Sequence, residues 1–558
     1  MNKIQKSVNL ALSPKEHEGS IKRRQLGAMI LSSVALTLIL AACGSASSSS
    51  TTASSSTSAS NASTPVSGGT ANIAIVSDPP TLDWTYSTST ITHEVSWNIF
   101  EQLFALDKNY QIRPMLAKSY TMSSNGLTYT IPLRTNVHFQ NGQLMTAKDV
   151  VASIDRWGEI SSPGELAMSH IASVTASNAN TVVITMKQPY SPLISDLASP
   201  DQAAIIIPAS IAKAAGKTPL SDSQIIGTGP YKFVSWQRGQ RIVLKKWSGY
   251  SPLPASDNWG GLAGHKVAYI STLNYDIVPS ASVRLSGLQT GEFNVATQLS
   301  SDSYSQLTQS PSIKPVIGQP ANALYIVFNK QIGPFTNPLM REAINLVANK
   351  PQIASAAFGN SKFWSLSNAM FFPQQKSLYV TSGESVYKAY DPQKAKQLMQ
   401  QAGYDPNRPL RILVTKTYPY MYNAGVALAQ ELNSIGIKTD VIVYDWPTDL
   451  ATRKNPKAWD LFITGFSEEF DPTQLLWISP TYNGWYNSPQ MQQDLSNWTS
   501  ATTAAQKETA LKAIQTTEWQ QLPAVKIANQ IGLEGISSTL QNFHSYLDVV
   551  MWNTWLSH

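Results

Sequence analysis

Leu410-Arg-Ile-Leu-Val-Thr415, an apolar-faced stretch from Ala424 to Ile435, then Gly436 and Thr439-Asp-Val-Ile-Val-Tyr444 follow one another between residues 410 and 444. The two flanking runs are short and rich in β-branched residues, which is the pattern of strands. The stretch between them repeats its apolar residues at helical spacing and stops at a glycine. Strand, helix, strand is the β-α-β unit, and its connection favours right-handed parallel pairing. The chain therefore reads as α/β, and the neighbouring sequence agrees.

Thr70-Ala-Asn-Ile-Ala-Ile-Val76 alternates as a strand and is stopped by Asp78-Pro79-Pro80. Leu127 to Arg134 is a second strand, opened by the turn pair Asn125-Gly126. After Asn141-Gly142, Thr146 is placed to cap a helix, with Asp149 in its first turn. Tyr231–Trp236 and Gln240–Trp247 read as a hairpin around Arg238-Gly239. Leu324–Phe328 is an apolar strand, Pro338–Val347 a helix, and Asp391-Pro392 opens another helix toward Gly403. Strands and helices are mixed along the whole body, and no short repeat is present.

The front of the chain sets an address. Lys15, Lys22, Arg23 and Arg24 precede the apolar run Leu26–Leu40, and Ala41-Ala42-Cys43-Gly44 ends it. Basic start, apolar core and small residues before the break are the parts of a secretory signal. The run is shorter than the ~20 residues a membrane span needs. Cys43 is the chain's single cysteine, so it reads as the lipid attachment point of an exported lipoprotein with a signal peptide at 1–42. Lys22-Arg23-Arg24 is compatible with twin-arginine export, with the Sec route as the default. Residues 43–69 are mostly Ser, Thr, Ala and Gly, a composition that buries too little apolar surface to fold and suits a tether.

The net charge of +6 is set largely by this leader. Residues 1–42 hold six basic and two acidic side chains, leaving 35 basic against 33 acidic in the rest. That balance provides no basic field for nucleic acid. One cysteine excludes an intrachain disulfide and a cysteine-based zinc site. Charged residues are only 14% of the chain while Trp (15) and Tyr (22) are plentiful, a balance suited to binding a soluble ligand. Enzyme signatures are poor: no G-x-S-x-G, no H-E-x-x-H and no C-x-x-C occurs. Ser210-Ile-Ala-Lys213 fits S-x-x-K without a following K-T-G, and Gly227-Thr-Gly229 before Pro230 reads as a turn and not a dinucleotide loop. No cofactor is expected.

Five ordered stretches carry a family resemblance. They are Arg113–Tyr120 with Gly126–Arg134 and Thr146–Val151; Gly227-Thr-Gly-Pro-Tyr-Lys-Phe233; Phe328-Asn329 with Arg341–Asn345; Tyr390–Leu398 through Tyr404; and Trp459-Asp460 with Gly465-Phe466 and Asp471-Pro472. Together they resemble the family 5 extracellular solute-binding proteins, the oligopeptide-, dipeptide- and nickel-binding lipoproteins of ABC importers. The resemblance implies a periplasmic-binding-protein-like, two-lobed clamshell (type II) with an extra α+β domain in lobe one. It places lobe one at 70–100, 226–318 and 525–558, the extra domain at 101–225, and lobe two at 319–524. It implies a non-enzymatic monomer, anchored outside the cytoplasmic membrane, that hands its solute to a permease there.

The resemblance also implies contacts. An acidic residue after Gly465-Phe466 would hold a peptide's α-amino group; counting gives Glu469, with Glu468 as the alternative because the segment is one residue short. Trp446 would line the pocket and Arg453 would meet a carboxylate, while Ile463 replaces a second arginine used by some relatives. Backbone at Thr88, Ser89, Thr90, Phe466 and Ser467 would flank the ligand. Asp83, Asp471 and Asn329 read as structural. The cargo implied is a di- or oligopeptide; an oligosaccharide, an opine-like compound or a metal chelate is the alternative. A serine hydrolase using Ser210 and Lys213, or a structural surface protein, is the more remote reading.

Overall fold

The computed structural model describes residues 64–557. The leader, Cys43 and most of the Ser/Thr-rich stretch lie outside the described residues. Among the described residues no helix is long and apolar enough to cross a membrane.

Eleven strands form one sheet: β1 Thr70–Ile75, β2 Tyr231–Gln237, β3 Arg241–Lys246, β4 Thr272–Ile277, β5 Val295–Ala296, β6 Ile313–Phe328, β7 Trp364–Ser365, β8 Leu410–Thr415, β9 Thr439–Tyr444, β10 Leu461–Ser467 and β11 Ala524–Ser537. Their order is β9-β8-β10-β6-β11-β5-β1-β4-β3-β2, with β7 also on β11. The β-α-β unit forms as its sequence reads: β8 and β9 pair in parallel from Leu410↔Thr439 to Thr415↔Tyr444. Its helix is Pro419–Ser434 and not Ala424–Ile435. Pro419 can open it because the first turn needs no proline N–H, and Met421 already faces the core. β2 and β3 make the expected hairpin. Helix Pro338–Val347 has its expected bounds. Thr146 precedes helix Ala147–Ile160, and its N–H donates to the Asp149 carboxylate at 2.9 Å.

Two large cores flank the crossing strands. Lobe one packs Ile73, Trp84, Ile99, Tyr275, Ile536 and Val549. Lobe two buries one sheet face under helices, with Ile326, Ile344, Ile412 and Leu428. Its other face packs Tyr325, Phe462, Phe466 and Trp477. β6 and β11 run together from one lobe into the other. Their pairing slips between Ile317 and Pro320 and again before Asn322. Gly318 and Gly532 adjoin at that slip, where a Cβ on Gly318 would come no closer than 3.8 Å to Gly532. Weak register and absent side chains make this the natural place for one lobe to bend against the other.

A smaller four-stranded antiparallel sheet, in the order Thr121–Met122, Thr128–Pro132, Thr181–Met186, Ile171–Asn178, packs its own core with Val150, Ile154 and Trp157. Residues 203–207 are shared between two cores. Ala203, Ile205 and Ile207 face lobe one, while Ala204 and Ile206 face the smaller domain. A period of two along extended chain does this. Ala212, Leu220 and Ile225, assigned to the extra domain by sequence, also pack into lobe one.

Candidate functional site

The loop after β10 brings the two acidic candidates to the seam. Phe466 is buried, its ring edge-on to Tyr325 at 5.3 Å and 4.8 Å from Trp477. That anchors the strand end, so Ser467 is exposed and Glu468 turns inward. A side chain at position 465 would displace its neighbours. A Cβ would meet Tyr420 Oη at 2.5 Å and Asn322 Oδ1 at 2.7 Å.

Glu468 is buried and occupied. Its Oε2 accepts from Tyr110 Oη at 3.3 Å and its Oε1 from Gln374 Nε2 at 3.2 Å. Burial pushes its carboxyl well up, and the two donors oppose that. Tyr110 also stacks on Phe470 and lies against Tyr546, which ties this loop of lobe two to the opposite side of the cleft.

Glu469 is half-buried, and among the described residues no donor reaches its carboxylate. Its backbone is held instead: the carbonyl accepts from Gln375 Nε2 at 2.6 Å. Burial pushes its carboxyl well up, and the facing carboxyls of Asp201 and Glu468 push it further. Asp201 is raised to about 6 by burial. Its nearest basic group is His93, whose Nε2 lies 3.8 Å away. Burial lowers His93 to about 4, so it is neutral at neutral pH and supplies no charge. His93 stacks on Trp97 at 6.0 Å, and Trp84 closes the group at 6.3 Å. Helix Thr90–Ser96 carries His93 and starts at Ser89. Thr88 and Thr90 are exposed and Ser89 is half-buried, so this edge offers backbone and hydroxyl groups to solvent. A carboxylate left without a donor or a cation costs free energy in the empty protein, and an ammonium group would offset that cost.

Arg453 does something different from what its type suggests. It is only 1% exposed. Its Nε pairs with Asp449 at 2.5 Å, one helical turn back, and its Nη1 donates to Thr464 at 3.1 Å. Its guanidinium lies 4.9 Å from the Trp446 ring and 4.1 Å from Phe462. In this structure the charge is closed on a protein partner, Asp449. Ile463 is buried in the core of lobe two. Trp446 is half-buried and edge-on to Tyr418 at 5.1 Å, leaving aromatic surface on lobe two.

The residues expected to be structural have structural partners. Asp83 pairs with Arg156 at 2.5 Å. Asp471 accepts from Thr473 and from Trp498 Nε1 at 3.0 Å. Asn329 donates to the carbonyls of Pro456 and Trp459. Ser210 and Lys213 are both exposed on the short helix Ala209–Ala215. Among the described residues no group of three or more His, Cys, Asp or Glu is placed to hold a metal ion.

Known proteins share this architecture. The ABC transporter-associated periplasmic binding protein DppA of Helicobacter pylori, solved with the peptide STSA, superposes with a TM-score of 0.73 at 24% identity, covering 88% of this chain and 99% of that one. AgaA of Agrobacterium tumefaciens R10, solved with agropinic acid, superposes with a TM-score of 0.72 at 21% identity, covering 88% and 99%. Both are two-lobed binding proteins. The glutathione-binding protein GsiB of Escherichia coli is 27% identical over 491 residues, which is 84% of this chain and 91% of that protein. Residues 111–487 match the bacterial extracellular solute-binding proteins, family 5. The chain belongs to that family.

Proposed function

We propose that the protein captures peptides, or peptide-like solutes with a free ammonium group, between its two lobes and delivers them to an ABC permease in the cytoplasmic membrane. One feature carries this reading: Glu469, half-buried beside the Tyr110–Glu468 contact, has no donor on its carboxylate among the described residues, and the Asp201 carboxyl repels it. In this reading Glu469 is the principal anchor, Asp201 supports it, and Glu468 positions the loop through Tyr110. Backbone at Thr88–Thr90 and Phe466–Ser467 flanks an extended ligand by strand-like pairing, which leaves sequence largely unread. Trp446 offers an aromatic wall. Lipidated Cys43 tethers a monomer to the outer face of the membrane, and the protein binds without catalysing.

A thermal shift with a peptide mixture tests this. Ligand at a hundred times its dissociation constant adds ~2.7 kcal/mol. Absence of stabilisation by any peptide overturns the peptide cargo.

A second reading keeps the site and changes the cargo to a non-peptide solute with an ammonium or similar group. The closure of Arg453 on Asp449 favours it, because a peptide's carboxylate loses its expected partner. Mass spectrometry of solute retained from the expression host separates the two.

A further inference from the structure

The seam between the smaller domain and lobe two contains a cavity of about 290 Å³ that the cleft chemistry does not use. Tyr120, Met122 and Ile112 form one wall and are 38–46% exposed although apolar. Tyr129 and Tyr190, both buried, also line it. Residues 499–502, the turn between helices Pro489–Ser500 and Ala504–Gln521, and Lys507 form the other wall. The walls meet through Ser191, whose N–H donates to the Thr499 carbonyl at 3.1 Å. Its Oγ donates to the Trp498 carbonyl at 3.2 Å.

Size and chemistry specify an occupant. A dry cavity of ~150 Å³ holds benzene, so this one accommodates a ring with a short polar tail. Exposed tyrosine and methionine faces suit an aromatic ring. Lys507 is the charged side chain in the lining, and its Nζ makes one long bond, 3.5 Å, to the Ser191 carbonyl. The carboxyls nearest it have other partners: Asp196 accepts from Tyr190 Oη at 2.8 Å, and Asp471 from Trp498 Nε1 at 3.0 Å. Burial raises both carboxyls and lowers Lys507, and the two carboxyls oppose that lowering. With one long bond at its Nζ, Lys507 keeps donors for a ligand anion.

We propose that this seam cavity is a second ligand site, for a small aromatic carboxylate whose ring lies against Tyr120 and Met122 and whose carboxylate meets Lys507. Its two walls belong to parts joined through the β6–β11 crossing, so the site is complete only when the lobes are shut. An occupant then favours the shut form, and linkage makes it tighten the cleft's hold on its own solute by the factor with which that solute tightens the second site. The inference rests on lobe closure and not on the identity of the cargo.

The test uses the full chain with 3-phenylpropanoate and its amide, 3-phenylpropanamide. Saturation-transfer NMR and a thermal shift report direct binding. The acid is expected to bind and the amide to bind far more weakly. Lys507→Gln and Tyr120→Ser should each weaken the acid several-fold, while Glu469→Gln, compared with the unaltered chain after both are stripped of solute, leaves it unchanged. The acid should also raise the affinity for the solute that copurifies, about fivefold or more. Equal binding of acid and amide, indifference to Lys507→Gln and Tyr120→Ser, competition with the cleft solute, or no saturation transfer each overturns the proposal. Loss of cleft binding in Glu469→Gln with the acid still bound keeps the two sites separate.

Discussion

Two sets of charged residues in this molecule behave as opposites. Arg453 and Asp449 have opposite signs, lie one helical turn apart and pair at 2.5 Å. Glu469 and Asp201 have the same sign, come from distant parts of the chain and leave each other unsatisfied. The first arrangement stabilises a local structure. The second costs free energy in the empty protein and recovers it when a cation arrives. A charge with a protein partner belongs to the fold, and a charge left open in a seam marks a site.

The largest effect is expected where the Arg453–Asp449 pair is opened. Asp449→Ala strands a guanidinium in the interior and should lower stability by about 3–5 kcal/mol. Denaturant unfolding measures it. Replacing both partners together, Asp449→Leu with Arg453→Met, should restore most of the loss, because the pair's attraction only offsets its desolvation.

Glu469→Gln should act with the opposite profile. Affinity for the cleft solute should fall by about 2 kcal/mol or more, on the order of thirtyfold. Stability of the empty protein should stay level or rise, since a repulsion is removed. Calorimetric titration and melting, run on the same preparation, read both. Glu468→Gln should cost less affinity, because an amide can keep its contact with Tyr110.

pH sharpens the contrast. Asp201 is raised to about 6 in the folded protein, above an unfolded value of ~3.9. The folded state therefore holds more protons across that window, so this group's contribution to stability falls as pH rises from ~4 through about 6. Ammonium binding needs the deprotonated form, so affinity should move the other way. It should rise roughly tenfold between about pH 5 and about pH 7.5, and Asp201→Asn should flatten the rise. Titrations at the two pH values check this.

The smallest effect expected is at Ser210. Ser210→Ala should change stability by no more than about 0.5 kcal/mol and leave solute binding intact. A fluorescent β-lactam should label neither form. Covalent labelling that depends on Ser210 would reopen the hydrolase reading.

Much of the fold was legible because it is local. The run 410–444 declared a parallel pair, and the hairpin at 231–246 declared its turn. Helix Pro338–Val347 could be bounded by its proline and its apolar face. The boundary of the extra domain was less legible, since alternation along 203–207 feeds two cores at once and no composition shift marks it. At the site, Glu468 and Glu469 could be found by their distance from Gly465-Phe466, but their different roles could not. Tyr110 and Gln374 decide them, and both are remote in the chain. Asp201 and His93 carry no local signal. Arg453 did carry one: an aspartate four residues earlier on a helix is the spacing of an ion pair.

The amino-acid sequence alone determined the family, the mixture of parallel and antiparallel pairing, and the acidic segment after β10, because these depend on periodicity, turn residues and short motifs. The tertiary structure decided which charges are neutralised and which remain open. Neutralisation depends on what lies within a few ångströms after folding, and the carboxyls of residues 201 and 469, remote in the chain, act on each other only in the folded protein.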